Sequence, residues 1–233
     1  MVRHRLKNSS ACRVSLKRTM QFTSRTATAL AACLLAAGLF VSAHAQDRVK
    51  YESQPGSKVK LDGTSNIHDW TVESQIIAGF MEWESSYPLD PSQATPPALK
   101  VVPKVEVSIP VRTLKSGKTL MDKVMYEAIK QTEHPKIEYK LKEMTLSKEA
   151  RKAGDPIKFD TKGELTVSGK TKPISMVVAI EKGDGDALKA RGATPVKMTD
   201  FGIAPPAPKV ALGMIKTSEE VKVTFEWITK KAP

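Results

Sequence analysis

The chain has 233 residues, 37 of them basic and 25 acidic, for a formal charge of +12. Seven of the basic residues, and no acidic one, lie before position 46; 37 less seven leaves 30 against 25, a modest +5 that gives no ground for a nucleic-acid partner. Both cysteines, Cys12 and Cys33, also lie before position 46, so residues 46–233 hold no thiol nucleophile, disulfide or cysteine metal site.

Residues 1–45 read as a cleavable export signal. A basic region from Arg3 to Arg25 precedes a largely apolar run, Ala27 to Val41, which ends at Ala43-His44-Ala45. Basic start, apolar core and small-residue exit are the three parts of a secretory leader. The run is about 15 residues, short of the roughly 20 that span a bilayer as a helix. Met20 offers an alternative start with a leader of more ordinary length. Leu30-Ala31-Ala32-Cys33 matches a lipoprotein cleavage box, but apolar residues continue beyond Cys33, which favours the exit at Ala45. The rest of the chain is therefore expected in the periplasm or outside the cell. It is long enough to form one domain without disulfide staples.

Residues 46–56 are polar and are expected to form an extended arm before a domain at 57–233. From there a period of two dominates. Val59 and Leu61 alternate with charged residues, then His68, Trp70 and Val72 with Asp69, Thr71 and Glu73. Further runs surround Phe80 and Trp83, Val105 and Val107, Tyr139 and Leu141, and Phe159, Leu165 and Val167. Met176 and Val178, Val196 and Met198, and Val223, Phe225 and Trp227 complete the series. Alternation over many short runs predicts antiparallel strands with one buried and one wet face. About nine runs suffice for an all-β barrel or sandwich.

One segment breaks the period. Leu120, Met121, Val124, Met125, Ala128 and Ile129 form a single helical stripe. Thr119 is placed to cap this helix, with Asp122 three residues on, and Pro135 stops it. The helix is expected to cover the mouth or a side of the barrel. Met121 and Met125 fit a plain core or a pliable wall against an apolar ligand. Residues 85–99, with Pro88, Pro91, Pro96 and Pro97, read as a loose insertion between strands. Gly183-Asp184-Gly185-Asp186 reads as a turn, and Pro205, Pro206 and Pro208 interrupt the chain before the last strand.

Reactive equipment is sparse. Residues 46–233 hold two histidines, His68 and His134, with no metalloprotease, nucleophile-elbow or phosphate-loop spacing. His68 and Asp69, as neighbours on a strand, would point to opposite faces and could not act as a pair. No enzyme, cofactor or metal site is called for.

The ordered motifs resemble those of the YceI-like family. Gly63-Thr64-Ser65-Asn66-Ile67-His68-Asp69-Trp70 is similar to the opening of one branch of that family. Glu133-His134-Pro135-Lys136-Ile137-Glu138-Tyr139 resembles the strand after its helix. Gly163 to Pro173 resembles a family hairpin, with Gly169 available for positive φ, and Met198-Thr199-Asp200-Phe201-Gly202 a late segment. The insertion at 85–99 departs from the simplest members.

The resemblance implies an exported, lipocalin-like barrel of about eight antiparallel strands with one inserted helix, binding a polyisoprenoid lipid or quinone. By alternation the inward face comprises Trp70, Val72, Phe80, Val105, Val107, Tyr139, Leu141, Phe159, Leu165, Val167, Met176, Val178 and Phe225, with Met121 and Met125 from the helix. The same face would equally fill a barrel that holds no ligand. No membrane-spanning segment is expected, and a homodimer is left open.

Overall fold

The computed structural model describes residues 47–207 and 215–233. The expected leader with its exit at Ala45, the start at Met20, the Cys33 box and Pro208 lie outside the described residues. Ten strands follow in chain order: β1 Arg48–Ser53, β2 Lys58–Ser65, β3 Trp70–Ser74, β4 Ala78–Glu84 and β5 Lys104–Pro110, then β6 Lys136–Leu146, β7 Ile157–Val167, β8 Lys170–Lys182, β9 Ala187–Lys197 and β10 Thr217–Lys231. One α-helix, α1, spans Thr119–Ala128 between β5 and β6.

All pairings are antiparallel, and the order β1-β4-β5-β6-β7-β8-β9-β10 closes because β1 also pairs with β10. Two of the eight staves are each built from two strands. β1 pairs with Thr229–Lys231 of β10, whereas β2 pairs with Thr217–Glu226 of the same edge. β4 lies against β1 and β3 against β2. The break between β1 and β2 is filled by the buried Ser57: its hydroxyl donates to the Gln54 carbonyl at 2.9 Å and accepts from the Ile228 amide at 3.0 Å. Closure leaves little strand edge open to other chains; β3, paired with β2, is met on its other side by Lys115 through a single bridge at Glu73.

Residues 48–53 are thus a barrel stave, which corrects the reading of 46–56 as an arm. Val49, Tyr51 and Ser53 are partly buried while Arg48, Lys50 and Glu52 are exposed. The Trp227 indole donates to Ser53 Oγ at 2.8 Å and fastens β10 to this first strand. So polar a segment shows its strand character only once β4 and β10 supply its partners.

The proline-rich stretch is a second correction. It is not loose: it folds across the end of the barrel opposite α1. Tyr87 is 8% exposed, and its hydroxyl donates to the Pro97 carbonyl at 2.9 Å. The Arg151 guanidinium donates to the Pro91 carbonyl at 2.9 Å and also to those of Gln93 and Asp155. The Trp83 ring meets Tyr87 and Phe159 edge-on, with centroids 5.5 and 5.7 Å away. Such T-shaped packing aligns ring edges with ring faces and adds to the apolar burial. Leu89 and Leu99 pack against the same core. Two apolar anchors and a tyrosine outweigh the turn character of the four prolines.

The β7–β8 connection is a two-residue turn with Ser168 at φ 49° and Gly169 at φ 72°. Positive φ at both positions suits the right-handed twist of the flanking strands. A Cβ at Gly169 would also come within 2.5 Å of the His134 ring. His134 therefore serves as packing under this turn. Gly169→Ala combines a strained φ with a clash, and an expected loss of roughly 1–3 kcal/mol should be seen in urea unfolding.

Candidate functional site

Among the described residues, two cavities lie in the lumen. The outer, about 430 Å³, lies beneath α1. The inner, about 130 Å³, lies deeper among β4–β10. Val59, Ile109, Leu165 and Val223 line both and mark the waist between them. Beyond the inner cavity the barrel is packed shut by Trp83, Phe159 and Tyr87, of which the first two are 2% and 0% exposed.

Thirteen of the fifteen side chains expected on the inward face line these spaces. Trp70, Val72, Val167, Met121 and Met125 border the outer cavity. Val105, Val107, Tyr139, Leu141, Met176, Val178 and Phe225 border the inner one, and Leu165 the waist. Two do not. Phe80 lies on the outer face of β4, with the Lys50 and Lys104 ammonium groups 5.2 and 5.0 Å from its ring centroid. Met81 and Trp83, both 2% exposed, set the inward parity of that strand, so Phe80 faces water. Phe159 does point inward, but into the closed end rather than a cavity.

Three strand glycines shape the wall. A Cβ at Gly63 would collide with the Trp70 ring, one at Gly163 with the Tyr139 ring, and one at Gly192 would reach within 2.7 Å of the Phe225 ring. Gly63 faces Trp70 and Gly192 faces Phe225 directly across the ladder. Each aromatic ring covers the bare backbone of a neighbouring strand, the packing that compensates glycine in a sheet. Burial pushes the ionisation of the Tyr139 hydroxyl up, with a smaller opposing pull from Thr161, so Tyr139 stays neutral at physiological pH.

Polar groups are confined to a few positions. Ser65, His68, Lys118 and Thr217 lie among the liners of the outer cavity. His68 sits in the loop between β2 and β3, not on a strand, which corrects the strand argument about His68 and Asp69. Its Nδ1 lies 2.8 Å from the Asp69 main-chain carbonyl, an arrangement that leaves Nε2 as the other polar atom. Ser65 Oγ shapes that loop, accepting from the His68 amide at 3.1 Å and donating to its carbonyl at 2.7 Å. In the inner cavity, Thr161 donates to the Met176 carbonyl at 2.8 Å and so presents little polarity to the lumen. No charged side chain lines the inner cavity. Among the described residues no cluster of three or more His, Cys, Asp or Glu converges.

The hydrogen bonds that fasten the helix lie along one side. Lys118 occupies its cap position without a side-chain bond, so Thr119, expected as the cap, is simply the first helical residue. Asp122, expected to complete a capping box with Thr119, is 8% exposed and accepts from the Ser116 amide at 2.7 Å and its hydroxyl at 2.6 Å. The Tyr126 hydroxyl donates to the Leu114 carbonyl at 2.7 Å. The opposite face presents Met121, Val124, Met125 and Ala128 to the cavity.

The sequence reading missed Leu114, Phe201 and Ile203 as liners. They come from short turns that carry no period of two; only the Asp200-Phe201-Gly202 resemblance pointed near them. Phe201, 4% exposed, closes a 3-10 turn at Met198–Phe201 that ends in Gly202 at φ 69°.

The YceI-like domain family model matches residues 56–228. BcnA of Burkholderia cenocepacia is similar in structure, with a TM-score of 0.55 and 14% identity over 74% of this chain and 95% of that one. A polyisoprenoid binding domain from Saccharophagus degradans, implicated in plant cell wall breakdown, gives a TM-score of 0.58 with 10% identity over 80% of this chain and 100% of that one. At such identities the likeness is one of fold. Among curated proteins, none matches the sequence. The family model covers most of the barrel and all four motifs, and the chain belongs to the YceI-like family.

Proposed function

We propose that this protein binds a long apolar ligand, a polyisoprenoid lipid or quinone, inside its barrel, and that it does so in the periplasm or outside the cell after cleavage near Ala45. The observation that carries the reading is the lumen itself: two apolar cavities, one above the other, that share a waist of Val59, Ile109, Leu165 and Val223. A core built only for stability packs to crystal-like density and leaves few voids of this size. An extended flexible chain fits two spaces in line better than a compact ligand does.

Each 100 Å² of apolar surface that a tail loses to the wall contributes about 2.5 kcal/mol, so no charged anchor is required deep in the tube. The methionines on the cavity face of α1 suit a flexible tail because an unbranched thioether repacks with little strain. Support for an isoprenoid comes from the family and from the polyisoprenoid binding domain that shares the fold. Binding rather than catalysis fits a lumen whose only histidine, His68, stands at the rim.

Solvent extraction of protein purified from its own cells, followed by mass spectrometry, is expected to yield a prenyl lipid or quinone in stoichiometric amount. Absence of any such lipid, together with no uptake of added prenol, would favour a barrel that binds nothing.

A further inference from the structure

A ligand that prefers the lumen to water is held, before binding, in a bilayer. The route from bilayer to cavity must pass the open end beneath α1. On that rim stand the two most exposed large apolar side chains among the described residues, Ile67 at 57% and Leu120 at 59%. Ile67 projects from the same loop as Ser65 and His68, and Leu120 lies on the first turn of α1; His68 and Leu120 line one cavity. Both are therefore at one mouth, although they come from opposite sides of the barrel's chain order.

The presentation of Ile67 is rigid. Ser65 Oγ accepts from the Ile67 and His68 amides at 3.3 and 3.1 Å. The Asn66 amide donates to the Lys216 carbonyl at 3.0 Å, and the Lys216 amide donates to Asn66 Oδ1 at 2.8 Å. An isoleucine held out into water on a doubly fastened loop contributes nothing to this core.

The charge beside the Ser65–Asp69 loop and the start of α1 is mainly positive. Residues 65–69, 112–123 and 215–216 carry Arg112, Lys115, Lys118, Lys123 and Lys216 against Asp69 and Asp122. Asp122 is buried and engaged by Ser116, with the Lys115 ammonium 4.0 Å away, so Arg112, Lys118, Lys123 and Lys216 are the cations left to face outward. Exposed aliphatic side chains beside lysines are the composition of a surface that inserts shallowly among lipid headgroups while its cations meet anionic phosphates.

We infer that the rim formed by the Ser65–Asp69 loop and the start of α1 docks on an anionic lipid bilayer and puts the cavity mouth against it. The inference rests on the proposed binding of an apolar ligand, and it adds the surface from which that ligand is loaded.

The test uses Ile67→Ser with Lys123→Gln. Neither residue lines the cavities, so uptake of geranylgeraniol from detergent micelles is expected to be unchanged. Sedimentation with phosphatidylcholine vesicles containing phosphatidylglycerol should show binding by the unaltered protein that weakens in salt, and at least about tenfold weaker binding by the double variant. Equal sedimentation of the two proteins would overturn the inference, as would failure of the unaltered protein to bind these vesicles while it still takes up prenol. Vesicle binding that depends on Ile67 and Lys123 without any prenol uptake would keep the docking surface and remove the proposed ligand.

Discussion

Phenylalanine in place of Val223 is expected to divide the lumen and shorten the tail that the protein can hold. Val223 lines both cavities. Its neighbours across the ladders are Leu61 on β2 and Thr194 on β9, so a larger ring has no route except into the waist. Each methylene-sized group withdrawn from the wall costs about 0.8 kcal/mol of binding. Excluding three such groups costs about 2.4 kcal/mol, roughly a fiftyfold loss in affinity. A prenol series of increasing length distinguishes this from general damage. The variant should bind the shortest member as the unaltered protein does and fall progressively behind with the longer ones. Val223→Ala should show the reverse trend. If the Phe variant retained the length dependence of the unaltered protein, the inner cavity would have no part in binding.

Removing the Trp83 side chain should give the largest loss of stability. The residue is 2% exposed and meets both Tyr87 and Phe159 edge-on. Trp83→Ala leaves a void among rigid rings, and a cost of about 3–5 kcal/mol is typical of that truncation. For a domain of this size the melting temperature should fall by roughly 10 °C. Limited proteolysis should then cut first within residues 85–99, because the loop loses the surface on which Tyr87 rests. Cleavage that begins at the β2–β3 loop instead would mean that the closed end is held by Arg151 and the barrel alone.

The alternation of apolar and charged residues predicted the staves, their antiparallel pairing and most of the lumen. That pattern is a direct consequence of strand geometry, in which successive side chains point to opposite faces. It is silent on absolute parity where large apolar residues occupy both faces. At Phe80-Met81-Glu82-Trp83 three apolar residues span two parities, and only pairing with β1 and β5 shows that Phe80 faces the two lysines. Arg48–Ser53 was illegible for the opposite reason: its inward residues are Val49, Tyr51 and Ser53, too mixed to declare a buried face. The helix stripe was plain, yet Asp122 was misread because its partner, Ser116, lies six residues upstream rather than at the cap. The waist could not be read at all, since it depends on shear between staves and not on any local spacing.

The closed end has a consequence for traffic. Among the described residues, Trp83, Tyr87 and Phe159 pack one end of the tube shut and leave the end beneath α1 as its door. Cargo that enters tail first must leave head first, by reversing its own path. If the protein hands its ligand on, a donor and an acceptor could not be served together, and delivery would take two separate visits of the same rim. A molecule bulky at both ends is refused however apolar it is, because neither end can thread Val59, Ile109, Leu165 and Val223 ahead of its chain.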